Sequence, residues 1–242
     1  MSQLNLLGNA PLVNVGLCVA ALEETIGRPD HLPRLMTFTG PSGFGKTTAA
    51  TVAANKFNAV FVRASSSWTR KAAHLAILKD MGITPAKTLY GMAEQVAEEL
   101  ALAKVPLIID ECDYLVKSGS IEFVRDILDA SSGTIMLIGE ENMHTQLQKW
   151  ERFSGRVSTC AQAEPASMDD TRALCAKYVD GVTIADDLLS KVHMEARGSV
   201  RRICVNLERI RREAMDNGLD RIDLDFWGSR PLFTGSAPTR RL

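Results

Sequence analysis

Short apolar runs alternate along the chain with longer segments whose apolar positions recur every three to four residues. The runs are "LMTFTG" at 35–40, "AVFVRA" at 59–64, "VPLIIDE" at 105–111, "TIMLIGE" at 134–140 and "RVSTCAQA" at 156–163. Between them, segments near 46–57, 69–81, 88–104, 119–130 and 142–151 carry the helical period. Such alternation predicts an α/β domain, a five-stranded parallel sheet covered by helices on both faces. A lead-in helix is predicted over 12–26, ahead of the polar, proline-containing break "GRPDHLPR". After "EPASMDD" at 164–170 the strand-like runs stop, and segments near 169–178, 186–196 and 198–217 read as helices. Four parts are therefore expected: a lead-in helix and loop over 1–33, the α/β domain over 34–165, a small all-helical domain over 166–226, and a flexible tail over 227–242. Gly, Pro, Ser and Arg accumulate in that tail.

Composition narrows the classes of function. With 242 residues, 45% hydrophobic and a net charge of −1, the chain reads as a globular protein without a basic excess, so nucleic-acid binding has to come from local patches. Five cysteines, odd in number and without a CxxC pair, argue against a disulfide framework or a zinc site and predict reduced, buried thiols. No apolar run approaches the ~18 residues of a membrane span. The opening "MSQLNLLGNAP" lacks a basic, then apolar, leader pattern, so a cytoplasmic protein without a membrane partner is expected.

The chemistry begins at Gly40-Pro41-Ser42-Gly43-Phe44-Gly45-Lys46-Thr47, which fits GxxxxGK[ST] without a mismatch, after a predicted strand and at the start of a predicted helix. Glycines let the backbone N–H groups turn toward phosphate, and the helix N-terminus adds a favourable dipole. Lys46 is expected on the β and γ phosphates and Thr47 on Mg²⁺, with Thr48 the weaker candidate. In "PLIIDE", Asp110 and Glu111 follow four apolar positions, at the carboxyl edge of a strand where open α/β sheets bind ligands. Asp110 is expected to orient Mg²⁺ through its water shell, and Glu111 to polarise the attacking water. Together the two motifs predict NTP binding and hydrolysis. No Asn-Lys-x-Asp guanine-reading stretch is present, so ATP is the expected nucleotide, with the helix around Val13 to Leu17 as a base-stacking wall.

The order of phosphate loop, extra strand, Asp-Glu pair, two further strands and a small helical lid resembles the AAA+ ATPases over residues 12 to 220. That resemblance implies a polar sensor after the fourth strand, where "IGEEN" offers Glu140 or Asn142. Asn142 is preferred because a second carboxylate beside Glu111 and phosphate is repelled. It also implies an arginine finger for a neighbouring subunit's site, for which "WERFSGRVST" offers Arg156, with Arg152 as the backup. From "GSVRRICVNLERIRR" it implies a lid arginine, Arg201, with Arg202 beside it. Val200, Ile203, Cys204, Leu207 and Ile210 in the same segment repeat at core spacing.

Within that family the segments "FTGPSGFGKTT", "IIDECDYL", "RFSGR" and "GSVRRI" look most like the DNA-transposition ATPases, the class of the phage Mu B protein and the target-selecting subunits of bacterial transposons. This resemblance implies a bacterial or phage-encoded protein that binds ATP and Mg²⁺ and assembles as a homo-oligomeric filament or ring on duplex DNA. It further implies contact with DNA without strong sequence preference and recruitment of a transposase. Arg63, Trp68, Thr69, Arg70 and Lys71 after the second strand, with Lys117, are the candidate DNA contacts, and Arg230, Arg240 and Arg241 offer further charge in the tail. The alternatives are an ATPase of helicase-loader or replication-initiator type, a P-loop small-molecule kinase, a secretion or signalling ATPase, and an ATP-gated scaffold with slow hydrolysis.

Overall fold

All five residues of strand β1 (Leu35–Thr39) are buried. A strand covered on both faces must lie inside a sheet, and its run of consecutive apolar positions is the sequence form of that placement. A computed structural model describes residues 10–29 and 31–235, which divide into two compact units. The larger comprises 15–41 and 46–163; the smaller comprises 42–45 and, among the described residues, 10–14 and 164–235.

In the larger unit, β2 (Val60–Arg63), β3 (Leu107–Asp110), β4 (Ile135–Gly139) and β5 (Val157–Gln162) join β1 in a parallel sheet of order β2-β3-β4-β1-β5. The interior strands β3 and β4 are buried at every position, whereas edge strands β2 and β5 carry partly exposed residues. The chain leaves β1 for the far edge at β2 and returns through β3 and β4, so the carboxyl ends of β1 and β3 flank a point where chain direction across the sheet reverses. Helices α1 (Val13–Ile26), α2 (Lys46–Phe57), α3 (Arg70–Asp80), α4 (Leu89–Ala103), α5 (Asp113–Lys117), α6 (Glu122–Ser131), α7 (Met143–Leu147) and α8 (Glu151–Ser154) complete the sequence up to β5.

Local chemistry sets the helix starts. The Thr69 hydroxyl accepts from Ala72 N–H at 3.2 Å and the Thr88 hydroxyl from Gly91 N–H at 3.0 Å, capping α3 and α4. Leu35, Ile77, Val96, Leu107, Ile109, Phe123, Leu137 and Phe153 belong to one buried apolar cluster. Two expectations needed correction here. α5 stands ahead of the helix predicted over 119–130, and the helix predicted over 142–151 is two short pieces. Trp150, packed against the core, leaves helical geometry (φ −107°, ψ 74°) and separates them.

In the smaller unit, α9 (Met168–Tyr178), α10 (Asp186–Ala196), α11 (Val200–Asp216) and the short α12 (Leu224–Trp227) dominate. Ser167 and Asp170 form a reciprocal capping box at the head of α9, and the second Asp170 oxygen accepts the Val13 N–H at 2.9 Å. Contrary to the expectation that strands stop after 164–170, β6 (Thr183–Ile184) and β7 (Arg221–Ile222) pair in parallel. Two residues each are too few to leave an apolar run in the sequence.

The expected tail from 227 onward also meets packed structure as far as 235. Trp227 is buried, Asn206 Nδ2 donates to Phe233 O at 3.0 Å, and Phe233 N–H donates to Asn206 Oδ1 at 2.7 Å. Arg230 Nη1 donates to Trp227 O at 2.9 Å, and its Nη2 lies 3.4 Å from Glu213 Oε1. Arg240 and Arg241, like residues 1–9 of the lead-in segment, lie outside the described residues.

All five thiols are free. Cys18 and Cys112 are buried, and burial pushes Cys18 up to about 12. Cys160 departs from the expectation of burial: it is exposed, with Sγ 3.6 Å from His144 Nδ1. Among the described residues no helix is long and apolar enough to cross a membrane.

The Asn206 amide answers both backbone groups of Phe233 from a fully buried position. Asn206→Ala is expected to cost about 1–3 kcal/mol in denaturant unfolding. It is also expected to expose the Phe233 amide to rapid hydrogen exchange; unchanged protection there would show that the clamp does not hold this segment.

Candidate functional site

The end of β3 carries a carboxylate that is almost fully enclosed. Asp110 is 2% exposed, and its oxygens receive three donors. Thr47 Oγ1, in the first turn of α2, donates to Oδ2 at 2.9 Å, Arg63 Nε donates to the same oxygen at 3.3 Å, and the Glu111 N–H donates to Oδ1 at 2.9 Å. Sheet register supplies the arginine, because Arg63 of β2 stands directly opposite Asp110 of β3.

Lys46 opens α2 beside this group. Its ammonium donates to the carbonyls of Gly40 at 2.6 Å and Pro41 at 2.9 Å. Burial lowers its pKa from the ordinary lysine value, while the charges of Asp110, Asp113, Glu111 and Glu140 act in the opposite direction. Glu111 is exposed and holds φ of 55°, a left-handed conformation uncommon for a residue with a side chain. The strain falls where the chain turns from β3 toward α5, as strained residues at functional sites often do.

Asp113, which the sequence reading passed over, joins the same region. It is 4% exposed, its Oδ2 accepts the Glu140 N–H at 2.8 Å, and its Oδ1 is buried without a hydrogen-bond partner. Gly139 makes this approach possible, since a Cβ there would run into Asp113 Oδ2 and Met143 Sδ. The signal was the third acid of "DECD", three positions beyond Asp110.

Thr47 Oγ1 and Asp110 Oδ2 form a pair of hard oxygen donors. Such a pair suits Mg²⁺, which keeps most of its water and takes one or two protein ligands together with substrate phosphates. Among the described residues there is no cluster of three or more His, Cys, Asp or Glu that would form an all-protein metal cage. Lys46, a half-buried ammonium at a helix N-terminus, provides the matching donor for phosphate oxygen.

Residues 42–45 belong to the smaller unit. There the Gly43 carbonyl accepts the Arg201 N–H at 3.1 Å and the Ser199 hydroxyl at 3.5 Å, and Asn14 Nδ2 donates to the carbonyl of buried Phe44 at 2.9 Å. Gly43 and Gly45 have φ of +86° and +82°, and a Cβ on Gly43 would stand 2.6 Å from Ser199 Oγ. Both positions therefore demand glycine. Ser42 and the Arg201 side chain are exposed, as is Thr48 in α2.

The remaining candidates occupy varied settings. Glu140 and Asn142 are exposed, and Asn142 precedes α7 without a side-chain capping bond. Arg156 precedes the edge strand β5, separated from Asp110 of β3 by strands β4 and β1, and is held by Asp129 in two hydrogen bonds of 2.6 and 2.7 Å. Its Nη1 also donates to the Arg152 carbonyl at 2.6 Å, while the Arg152 side chain is exposed. Of the second-strand group, Arg63 is engaged by Asp110, Trp68 packs partly against the core, and Thr69 caps α3. Arg70 and Lys71 are exposed in the first turn of α3, and Lys117 is exposed at the end of α5.

No curated protein matches the sequence. Residues 30–147 match the model of the AAA domain family. Among solved structures, the Aeropyrum pernix ORC2 protein in ADPNP–ADP complexes is similar with a TM-score of 0.71 and 13% identity, over 87% of this chain and 65% of that one. Cdc6p from Pyrobaculum aerophilum follows at 0.63 and 17%, over 86% and 62%. The A. pernix ORC1 protein in complex with DNA is similar at 0.62 and 17%, over 86% and 61%. The chain thus spans less than two thirds of the length of these structures, and at such identities the likeness establishes the fold. A parallel five-stranded sheet, the GxxxxGKT segment after β1 and the acidic pair after β3 thus fall within or beside the stretch 30–147 that matches the AAA domain family, and the fold of the chain is that of the AAA+ core seen in the similar structures.

Proposed function

We propose that this protein binds and hydrolyses ATP with Mg²⁺, and that its nucleotide state governs its hold on duplex DNA, as in an AAA+ ATPase of replication-initiator or helicase-loader type. The observation that carries the reading is the 2.9 Å hydrogen bond from Thr47 to Asp110, which sets two hard oxygen donors beside the Lys46 ammonium. The A. pernix ORC2 structure in ADPNP–ADP complexes and the ORC1 structure in complex with DNA support nucleotide and DNA as the ligand classes.

In this reading Lys46 exchanges the Gly40 and Pro41 carbonyls for phosphate oxygens, a substitution that restores its donors without exposing them to water. When bound, Mg²⁺ neutralises charge on the transferring phosphate. Thr47 and Asp110 orient it, and Glu111 orients the attacking water from its position at the carboxyl end of β3. Asp113 fixes the backbone of Glu140 and so the start of the segment carrying Asn142. Arg201 is the candidate sensor of nucleotide state, and Arg152 or Arg156 serves a neighbouring copy. Arg152 is the readier of the two, since Arg156 must first leave Asp129. Arg70, Lys71 and Lys117 contact DNA phosphates, which confers affinity without sequence readout.

The transposition-regulator reading shares this site and rests on the resemblance of the phosphate loop, "RFSGR" and "GSVRRI" segments. It adds filament or ring assembly on DNA and a transposase as partner. Electron microscopy with duplex DNA separates the two: ATP-dependent continuous filaments favour the transposition reading, and isolated particles on DNA favour the initiator type.

Lys46→Ala is expected to weaken binding of a fluorescent ATP analogue by about 100-fold or more, the loss of a charge-assisted contact of roughly 3 kcal/mol. Glu111→Gln should bind the analogue like the wild type yet hydrolyse ATP about 10²–10⁴-fold more slowly, the span of a lost general base. Equal turnover by the Gln variant would remove Glu111 from the mechanism. For DNA, the Arg70→Ala/Lys71→Ala variant should lower the slope of log affinity against log salt by up to about 2, since each phosphate contact contributes ~0.9. An unchanged slope would place the DNA surface elsewhere.

A further inference from the structure

Away from the phosphate loop, helices α4 and α6 present apolar stripes to one groove. On α4, Leu89, Ala93 and Ala97 recur at intervals of four; on α6, Phe123, Ile127 and Ala130 recur at four and three. These stripes line a cavity of about 760 Å³. Leu89 and Tyr90 at its end are 41% and 73% exposed, an unusual cost for two large side chains that a covering partner would relieve. The floor is preformed: buried His74 donates through Nδ1 to the Arg70 carbonyl at 2.7 Å, and its ring lies tilted against Phe123 with centroids 5.2 Å apart.

The rim is net negative. Glu94 and Glu98 of α4 and Asp126 of α6 line the groove, against a single cation, Arg70. Asp126 is answered by Arg125 at 2.8 Å, so Glu94 and Glu98 bring the surplus negative charge. Both are exposed and one helical turn apart on the same side of α4.

We propose that this groove docks an amphipathic helix of a partner protein, with bulky apolar residues on one face and Lys or Arg along its edge. Ridges at helical spacing on two walls accept a third helix, and the small Ala93, Ala97 and Ala130 let its axis approach to the usual ~8–10 Å. From Leu89 to Ala97 the wall is nine residues, a rise of about 12 Å or two turns, which sets the contact length. Apolar anchors at i, i+3 or i+4, and i+7 fill the groove, while the carboxylates favour a basic helix and repel an acidic one. The groove uses none of the residues of the phosphate site and shares only Arg70 with the proposed DNA surface, and the variants below leave Arg70 in place, so its test is separate from those of nucleotide and DNA binding.

The test is fluorescence anisotropy with a labelled amphipathic Leu/Lys peptide of about 14 residues, long enough for the two contacting turns and frayed ends. A Leu/Glu peptide of the same pattern serves as the control. The full-length protein is compared with two variants, Glu94→Lys/Glu98→Lys on the exposed rim and Ala130→Trp at an exposed position that fills the groove. Far-UV circular dichroism and thermal unfolding establish that both are folded. Saturable binding of the Leu/Lys peptide, weakened by about tenfold or more in each variant and absent for Leu/Glu, is expected. No saturable binding, or equal binding to wild type and variants, overturns the proposal. Sedimentation velocity of the protein alone is run alongside, and self-association abolished by Ala130→Trp would assign the groove to a second copy and overturn it as well.

Discussion

The carboxylate of Asp110 is the constraint around which the larger unit is organised. An enclosed carboxylate is costly unless donors satisfy it, and three different elements supply them. Thr47 ties the start of α2 to the end of β3, Arg63 ties the edge strand β2 to the same point, and the Glu111 amide closes the turn. One oxygen-bearing side chain thus links the phosphate loop, the sheet edge and the acidic pair.

Asp113 performs a comparable task one turn further along. Its single backbone acceptor bond to Glu140 couples α5 to the end of β4, and its other oxygen stays buried and unanswered. A buried carboxylate oxygen without a partner is a cost the fold carries rather than a source of stability. Together with the left-handed Glu111, it concentrates unfavourable local terms between β3 and β4. Asn58, Lys104 and Ser132 are left-handed as well, Lys104 and Ser132 as the C-caps of α4 and α6, whereas Glu111 takes that conformation directly after a strand, at the acidic pair.

Arginine placement follows the same economy of charge. Arg63 and Arg156 both meet carboxylates within the larger unit, Arg63 at the buried Asp110 and Arg156 at the exposed Asp129. Arg63 reaches an enclosed carboxylate from an exposed position, whereas Arg156 and Asp129 are both partly exposed, and ion pairs of that kind contribute little and exchange readily. Arg156 is therefore fastened without being committed. Exposed Arg70 and Lys71 at the start of α3 and the acidic rim of α4 and α6 give neighbouring surfaces opposite electrostatic character, suited to different classes of partner.

The amino-acid sequence by itself determined the five strands, the helices that begin at Lys46, Arg70 and Leu89, the phosphate loop and the acidic pair. These depend on local terms: apolar runs, the helical period, capping threonines, and glycines where the backbone must turn. Tertiary structure alone decided the β2-β3-β4-β1-β5 order, and with it the pairing of Arg63 with Asp110 across a register no local pattern records. It also decided the burial of Asp113, the holding of Phe233 by Asn206, the β6–β7 pairing and the capture of Arg156 by Asp129. The division has one physical reason: propensity and periodicity act between residues close in sequence, whereas the partner of a buried polar group is chosen by whichever donor the packed chain brings within hydrogen-bond reach.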